Sequence, residues 1–208
     1  KVEYDAGGKG INVSRTIREL GGSSIATGFL GGNTGKTIEN VMNELEIESE
    51  FIWVEGETRT NTKVFDEHGV LTELNEPGVK ISKKHIDELL CKLEKYAGEQ
   101  TLFVLSGSVP AGVDKGIYAK IIELVHKKGA KVLLDADGEL FYQALEAKPD
   151  MIKPNNMELE EYAQLPFYAS ETELAQIADT ILKKGIPMIA VSMGNCGALF
   201  VTKNRKIK

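Results

Sequence analysis

Cysteine is scarce in this sequence, and no apolar run is long enough to cross a bilayer. The two cysteines, Cys91 and Cys196, stand far apart and fit no CxxC or metal-binding pattern. That excludes a disulfide framework and a zinc module, and leaves the expectation of two reduced, buried or half-buried thiols in a cytosolic, cytoplasmic protein. No stretch approaches the roughly 20 apolar residues of a spanning helix, and no secretory leader is visible. Asn12-Val13-Ser14 therefore reads as an incidental glycosylation sequon, and no membrane partner is expected. A basic stripe is also missing. The 25 Lys and Arg are interleaved with 31 Asp and Glu for a net charge of -6, which argues against nucleic acid. Internal repeats and low-complexity segments are lacking. The three histidines, His68, His85 and His126, share no motif and are expected at the solvent or on helix faces. No Gly-x-Gly-x-x-Gly follows a strand, which counts against a Rossmann-type oxidoreductase, the rival enzyme class for alternating strands and helices.

What is present is an ordinary globular composition. With 42% hydrophobic and 27% charged residues over 208 positions, the chain can bury the core of one large domain, or of one plus a small appendage. An acidic chain that binds phosphates must concentrate its positive field locally, so single lysines and arginines matter. The first residue is Lys1 rather than methionine, and residues 197–201 read as a strand entering a turn just before the last residue, Lys208. Both ends suggest a fragment lacking its two termini.

Periodicity predicts a helix over 11–20, with Ile11, Ser14, Ile17 and Leu20 on one face and Gly21-Gly22 as its stop. A strand over 24–30 and a helix over 35–45 follow. Strands at 51–54, 60–65 and 70–74 come next with no helix between them, the last two joined through Glu67-His68-Gly69. This reads as an antiparallel insert. From residue 82 onward helices at 82–96, 114–128, 139–147, 157–164 and 171–184 alternate with strands at 102–105, 131–134, 151–153 and 188–191. Such alternation indicates an α/β fold, a parallel sheet covered on both faces.

Several loops carry residues suited to chemistry. In Ala6-Gly7-Gly8-Lys9-Gly10-Ile11-Asn12, glycines before a helix let backbone N–H groups approach an anion, and Lys9 adds a charge. A loop that merely turns the chain is the other reading. Gly31-Gly32-Asn33-Thr34-Gly35-Lys36-Thr37 imitates a P-loop, but its spacing is one residue short, because position 30 is Leu30; a tight turn is expected. Arg59, Asn61 and Lys63 share a face at a period of two and could hold a phosphate, though exposed strands also carry such charges. Ser106-Gly107-Ser108-Val109-Pro110 follows an apolar strand, at the edge where open α/β sheets bind ligands. In Lys153-Pro154-Asn155-x-x-Glu158, Asn155 can cap a helix and Glu158 completes a capping box. The same pair could orient hydrated Mg²⁺ and nucleotide phosphates. Ser192-Met193-Gly194-Asn195-Cys196-Gly197-Ala198 bends through two glycines after a strand, as a phosphate-wrapping loop can.

The set Gly7-Gly8-Lys9-Gly10-Ile11-Asn12-Val13-Ser14-Arg15, Thr58-Arg59-Thr60-Asn61, Leu105-Ser106-Gly107-Ser108-Val109-Pro110, Lys153-Pro154-Asn155-x-x-Glu158 and Ser192-x-Gly194-x-x-Gly197-Ala198, in this order, resembles the ribokinase, or PfkB, family of carbohydrate kinases. Gly8-Lys9-Gly10-Ile11-Asn12 and Thr72-Glu73-Leu74-Asn75-Glu76-Pro77-Gly78 are similar to the sugar-phosphate branch, the 1-phosphofructokinases and tagatose-6-phosphate kinases. Leu134-Asp135-Ala136-Asp137-Gly138-Glu139 favours the fructose 1-phosphate members. The resemblance implies a ribokinase-like three-layer sandwich over 1–50 and 76–208, with 51–75 as a β lid that pairs into a dimer in many members. It implies ATP and Mg²⁺ as cofactors and a ketohexose phosphate as acceptor. Gly7, Gly8 and Asn12 would hold sugar hydroxyls, while Lys9, Arg59 and Ser108 would hold the acceptor's phosphate. Lys153, Asn155, Ser192, Gly194 and Gly197 would face ATP, with Glu158 acting on Mg²⁺ through water. The family's sugar-binding aspartate would precede Lys1 and its catalytic aspartate would follow Lys208. A non-catalytic sugar-phosphate-binding module is the reading from another class.

Overall fold

Amphipathic and apolar segments alternate along the chain, and the computed structural model, which describes residues 3–66, 68–165 and 168–208, turns them into seven α-helices and twelve strands. They gather into two units. The first holds the chain up to Cys91 together with Val109–Val113; the second holds Lys92–Ser108 and Asp114–Lys208.

The first unit begins with α1 (Lys9–Glu19), β1 (Ile25–Ala26), β2 (Phe29–Leu30) and α2 (Gly32–Glu44). β3 (Glu48–Ser49) pairs in parallel with β1, and β4 (Ile52–Trp53) pairs in parallel with β2. Small apolar clusters hold these pieces: Ala6, Leu30 and Ile38 in one, Ala26, Met42 and Ile47 in the other, with Ile11, Val41 and Phe51 against both. Two expectations change here. The single strand over 24–30 is two short strands with different partners, because the chain breaks at Thr27-Gly28, where Gly28 has φ 148° and the Thr27 hydroxyl donates to the Glu50 carbonyl at 2.7 Å. The strand over 51–54 is not part of an antiparallel insert, since β4 runs parallel to β2.

Of the three strands expected in that insert, only β5 (Asn61–Phe65) and β6 (Leu71–Asn75) form an antiparallel ladder, in the register Asn61↔Asn75 to Phe65↔Leu71. Every residue of both strands is exposed. Of the predicted connecting turn, Glu67 lies outside the described residues, while Asp66 accepts from the backbone N–H groups of His68 and Val70 at 2.8 Å. α3 (Lys83–Tyr96) begins in the first unit and ends in the second. Leu20, expected on the inner face of α1, is 83% exposed; it sits one residue past the helix end, whereas Ser14 is the buried residue of that helix.

The second unit is built on a six-stranded sheet in sequence order: β7 (Leu102–Ser106), β8 (Lys131–Asp135), β9 (Met151–Ile152), β10 (Met188–Ser192), β11 (Ala198–Thr202) and β12 (Arg205–Ile207). The first four run parallel; β11 and β12 return antiparallel. Ile189, Ala190 and Val191 are buried in succession, and because successive side chains point to opposite faces, both faces of β10 are covered. α4 (Ile117–His126) and α5 (Gly138–Glu146) pack on β8, and α7 (Glu171–Leu182) packs on β10 and β11. α6 (Asn156–Tyr162) follows β9. Both cysteines are free and exposed, contrary to the buried or half-buried thiols expected. Cys91 lies between the buried Leu90 and Leu93 on α3 but points outward, and Cys196 ends the 3₁₀ turn Gly194–Cys196 after β10. His126 Nε2 lies 3.0 Å from Asp150, whose same carboxylate oxygen also accepts from the Val132 N–H.

Candidate active site

In the second unit, parallel strands carry their candidate residues at their carboxyl ends, where an open sheet leaves room between the connections. β7 ends at Ser106 and β8 ends at Asp135, its partner in register. The Gly107 N–H donates to the Asp135 carbonyl at 2.9 Å. Beyond β9, the Lys153 N–H donates to the Leu134 carbonyl at 2.9 Å, and the Lys153 ammonium stands 3.2 Å from the Asp135 carboxylate. The Asp135 side chain is 10% exposed and the Lys153 side chain 42%, so one end of the pair is desolvated and the other reaches water. Asn155 is bridged in parallel to Ser192 at the end of β10.

The segment Asn155–Glu158 is a complete capping box. The Asn155 side-chain oxygen accepts from the Glu158 N–H at 2.8 Å, and the Glu158 carboxylate accepts from the Asn155 N–H at 2.9 Å. One Glu158 oxygen thus anchors the helix start. The other lies outside the box. Among the described residues no cluster of three or more His, Cys, Asp or Glu forms a metal cage. A single half-buried carboxylate suits Mg²⁺ that keeps its water shell, which takes few protein ligands. The donor set therefore fits Mg²⁺ held through water at Glu158.

After β10 the chain turns through Met193–Gly197, closed by the Met193 N–H donating to the Gly197 carbonyl at 2.9 Å. Gly194 and Gly197 have φ 54° and 90°, and a Cβ added at either would meet open space. Glycine is needed there for its backbone, and the loop's outer side is clear for a ligand. Ser108 follows β7 by two residues and is exposed. Below it, the Tyr118 hydroxyl donates to the carbonyls of Ser106 and Gly107, both at 3.1 Å. Burial, reinforced by the charges of Asp135 and Asp137, pushes this phenol up to about 12.

The first unit holds the other candidates. Gly8 is the N-cap of α1 with φ 126°, and no side chain caps that helix. Gly7, Gly8, Lys9 and Asn12 are all exposed around the first turn, so its backbone donors, an ammonium and an amide share one edge. Arg59 lies on the segment between β4 and β5, with Gly78 against it: a Cβ at Gly78 would come 3.4 to 3.8 Å from the Arg59 methylenes. Asn61 opens β5, but Lys63, expected on the same phosphate-binding face, pairs with Glu73 across the hairpin at 3.0 Å.

The imitation P-loop is a turn whose donors are taken internally. At the start of α2, the N–H groups of Asn33 and Thr34 donate to the Glu57 carboxylate at 3.1 and 3.2 Å. These backbone bonds hold the Glu57 carboxyl below the usual carboxylate range.

Sequence reasoning grouped Lys153, Asn155, Glu158, Ser192, Gly194 and Gly197 as one cluster, and they lie on neighbouring strand ends. It missed Asp135 as the partner of Lys153, although an aspartate closing the apolar run Val132-Leu133-Leu134 was a visible signal. Glu57 gave none, since its partners lie more than twenty residues back along the chain.

Residues 1–208 match the sequence profile of the pfkB family carbohydrate kinases. The chain is 32% identical over 200 residues to a 1-phosphofructokinase of Vibrio cholerae, and 37% identical over 198 residues to a 1-phosphofructokinase of Borreliella burgdorferi. Those matches cover 96% and 95% of the chain but 63% of each relative, so the chain spans under two thirds of the length of these curated relatives. It also superposes on the crystal structure of phosphofructokinase-2 from Escherichia coli in complex with fructose-6-phosphate, with a TM-score of 0.89 and 28% identity, over 97% of this chain and 67% of that one.

Proposed function

The chain belongs to the pfkB family of carbohydrate kinases, with that family's α/β fold around a mainly parallel sheet, and from that premise we propose that the whole protein transfers the γ-phosphoryl of ATP to a ketohexose phosphate. The acceptor proposed is fructose 1-phosphate, giving fructose 1,6-bisphosphate. The observation that carries this reading is the row of strand ends in the second unit. There an ammonium held by a buried carboxylate, a capped helix start and a glycine turn line up as donors for a polyphosphate. Lys153, Asn155, Ser192, Gly194 and Gly197 are assigned to ATP on this basis. The two curated relatives support the choice of acceptor.

Phosphoryl transfer demands little covalent help from a protein; it demands that two polyanions be placed in line and their charge offset. On the acceptor side, Gly7, Gly8 and Asn12 would meet sugar hydroxyls, and Lys9, Arg59 and Ser108 the phosphate already present. On the donor side, Glu158 would hold hydrated Mg²⁺, whose charge offsets that of the triphosphate when bound. Of residues 51–75, the β5–β6 hairpin would act as a lid that excludes water, since β4 is paired to β2. The exposed Val64 and Leu74 share one face of the β5–β6 ladder and support pairing of two copies through it.

Arg59→Ala is expected to raise KM for the sugar phosphate about tenfold or more, the worth of a charge-assisted bond, and to leave KM for ATP nearly unchanged. Equal effects on both would remove Arg59 from the acceptor site. Comparing kcat/KM for fructose 1-phosphate, tagatose 6-phosphate and fructose 6-phosphate identifies the acceptor. A preference for tagatose 6-phosphate would move the protein to the other kinase of the branch. Binding without turnover of any of the three would make it a sugar-phosphate-binding module.

A further inference from the structure

Glu57 and Thr58 lie immediately before Arg59, and both are tied to the junction of β2 and α2. The Gly31 N–H donates to the Thr58 hydroxyl at 2.8 Å, and the Thr58 N–H donates back to the Gly31 carbonyl at 3.0 Å. Glu57 takes two N–H groups from the first turn of α2. The approach is so close that only glycine fits opposite it. A Cβ on Gly31 would stand 2.5 Å from the Gly56 carbonyl oxygen, and one on Gly32, at φ 61°, would overlap the Glu57 carboxylate. On the far side of Arg59, the Thr60 N–H donates to the Glu76 carboxylate at 2.9 Å, and Gly78 lies against the Arg59 stem.

We propose that Glu57 and Thr58 are positioning residues, which clasp the start of α2 so that the Arg59 guanidinium is presented to the acceptor's phosphate. The proposal rests on the reading of Arg59 as an acceptor-site cation. A glutamate at this place has no need to touch substrate. It replaces the anion that an uncapped helix start would otherwise attract, and in doing so fixes the backbone two residues before the arginine. An exposed arginine on a free segment would lose much of its binding free energy to ordering itself; a clasped one loses less. The mimicry of a P-loop by residues 31–37 follows from the same contact, since glycines admit a carboxylate where a P-loop admits a phosphate.

The test uses the whole protein and four variants: Glu57→Ala, Glu57→Gln, Arg59→Ala and the double variant Glu57→Ala with Arg59→Ala. Glu57→Ala is expected to raise KM for fructose 1-phosphate about tenfold, less than the roughly hundredfold that a full 1 Å misplacement can cost, with KM for ATP within about twofold of the parent. Glu57→Gln, which keeps the acceptor oxygen, is expected to fall between. The double variant is expected to be no worse than Arg59→Ala alone, because both changes remove one function. An additive double variant overturns the proposal, and so does a Glu57→Ala protein with a lowered Tm but unaltered KM values. The same variants titrated with fructose 1-phosphate in a calorimeter repeat the comparison without turnover. Binding that depends on Arg59 and Glu57 without any phosphoryl transfer would retain the clasp and discard the kinase reading. Anion affinity indifferent to Glu57 would discard the clasp.

Discussion

Lys153 keeps its ammonium 3.2 Å from a carboxylate that is almost out of water, and each partner sets what the other can do. Asp135 faces the lysine with its charge, and the lysine is held at the strand edge with part of its side chain still in water. Removing one member strands the other. A fully buried pair loses about 3–5 kcal/mol when broken, and since Lys153 is 42% exposed, Lys153→Met is expected to cost roughly 1–3 kcal/mol. Adding Asp135→Asn to that variant should restore most of the loss, because the uncompensated charge is gone. Urea unfolding of the two single variants and the double variant measures this. Simple addition of the two single losses would show that the pair is not coupled.

At the scale of an element, the first turn of α6 carries a cap, and the nucleotide role proposed for it can be separated from that cap. Asn155→Ala removes the cap and is expected to cost about 1 kcal/mol. Asn155→Asp keeps an acceptor for the Glu158 N–H but adds a negative charge where nucleotide phosphates are proposed to lie. Its stability should stay near that of the parent while KM for ATP rises; an unchanged KM for ATP would leave Asn155 as a cap and nothing more. This box was legible in the sequence because it is local, an asparagine and a glutamate three residues apart. So were the strands β7, β8 and β10, which read as unbroken apolar runs and of which β10 is buried on both faces. The strand Glu48–Ser49 was not, nor was the parallel pairing of Ile52–Trp53, itself readable as a strand, because both owe their pairing to partners some twenty residues away rather than to any pattern of their own. The same holds for Glu57, which looks like any surface glutamate until the first turn of α2 is beside it. The exposed thiols misled for a different reason: cysteine is usually buried, and neither the outer face of α3 nor the glycine turn after β10 could be told from composition.

Across the whole molecule, the acceptor candidates Gly7 to Asn12 and Arg59 belong to the first unit, and the ATP candidates to the second, which also holds the acceptor candidate Ser108. Each ligand should therefore leave its own footprint. Hydrogen exchange with Mg²⁺ and a non-hydrolysable ATP analogue is expected to slow amides around 153–158 and 192–197, and exchange with fructose 1-phosphate those around 7–12 and 57–61. Protection by the analogue at 7–12 with none at 192–197 would reverse the assignment of the two loops. The order of the large sheet bears on how the protein is made. Its six strands stand side by side as they occur along the chain, from β7 to β12. Each strand leaving the ribosome thus finds its neighbour already synthesised, a few tens of residues behind it. Closing short loops in sequence costs little entropy, and no strand need wait for a distant partner with its edge bare, which is the state that invites aggregation. The sheet can zip from β7 outward at the pace of translation.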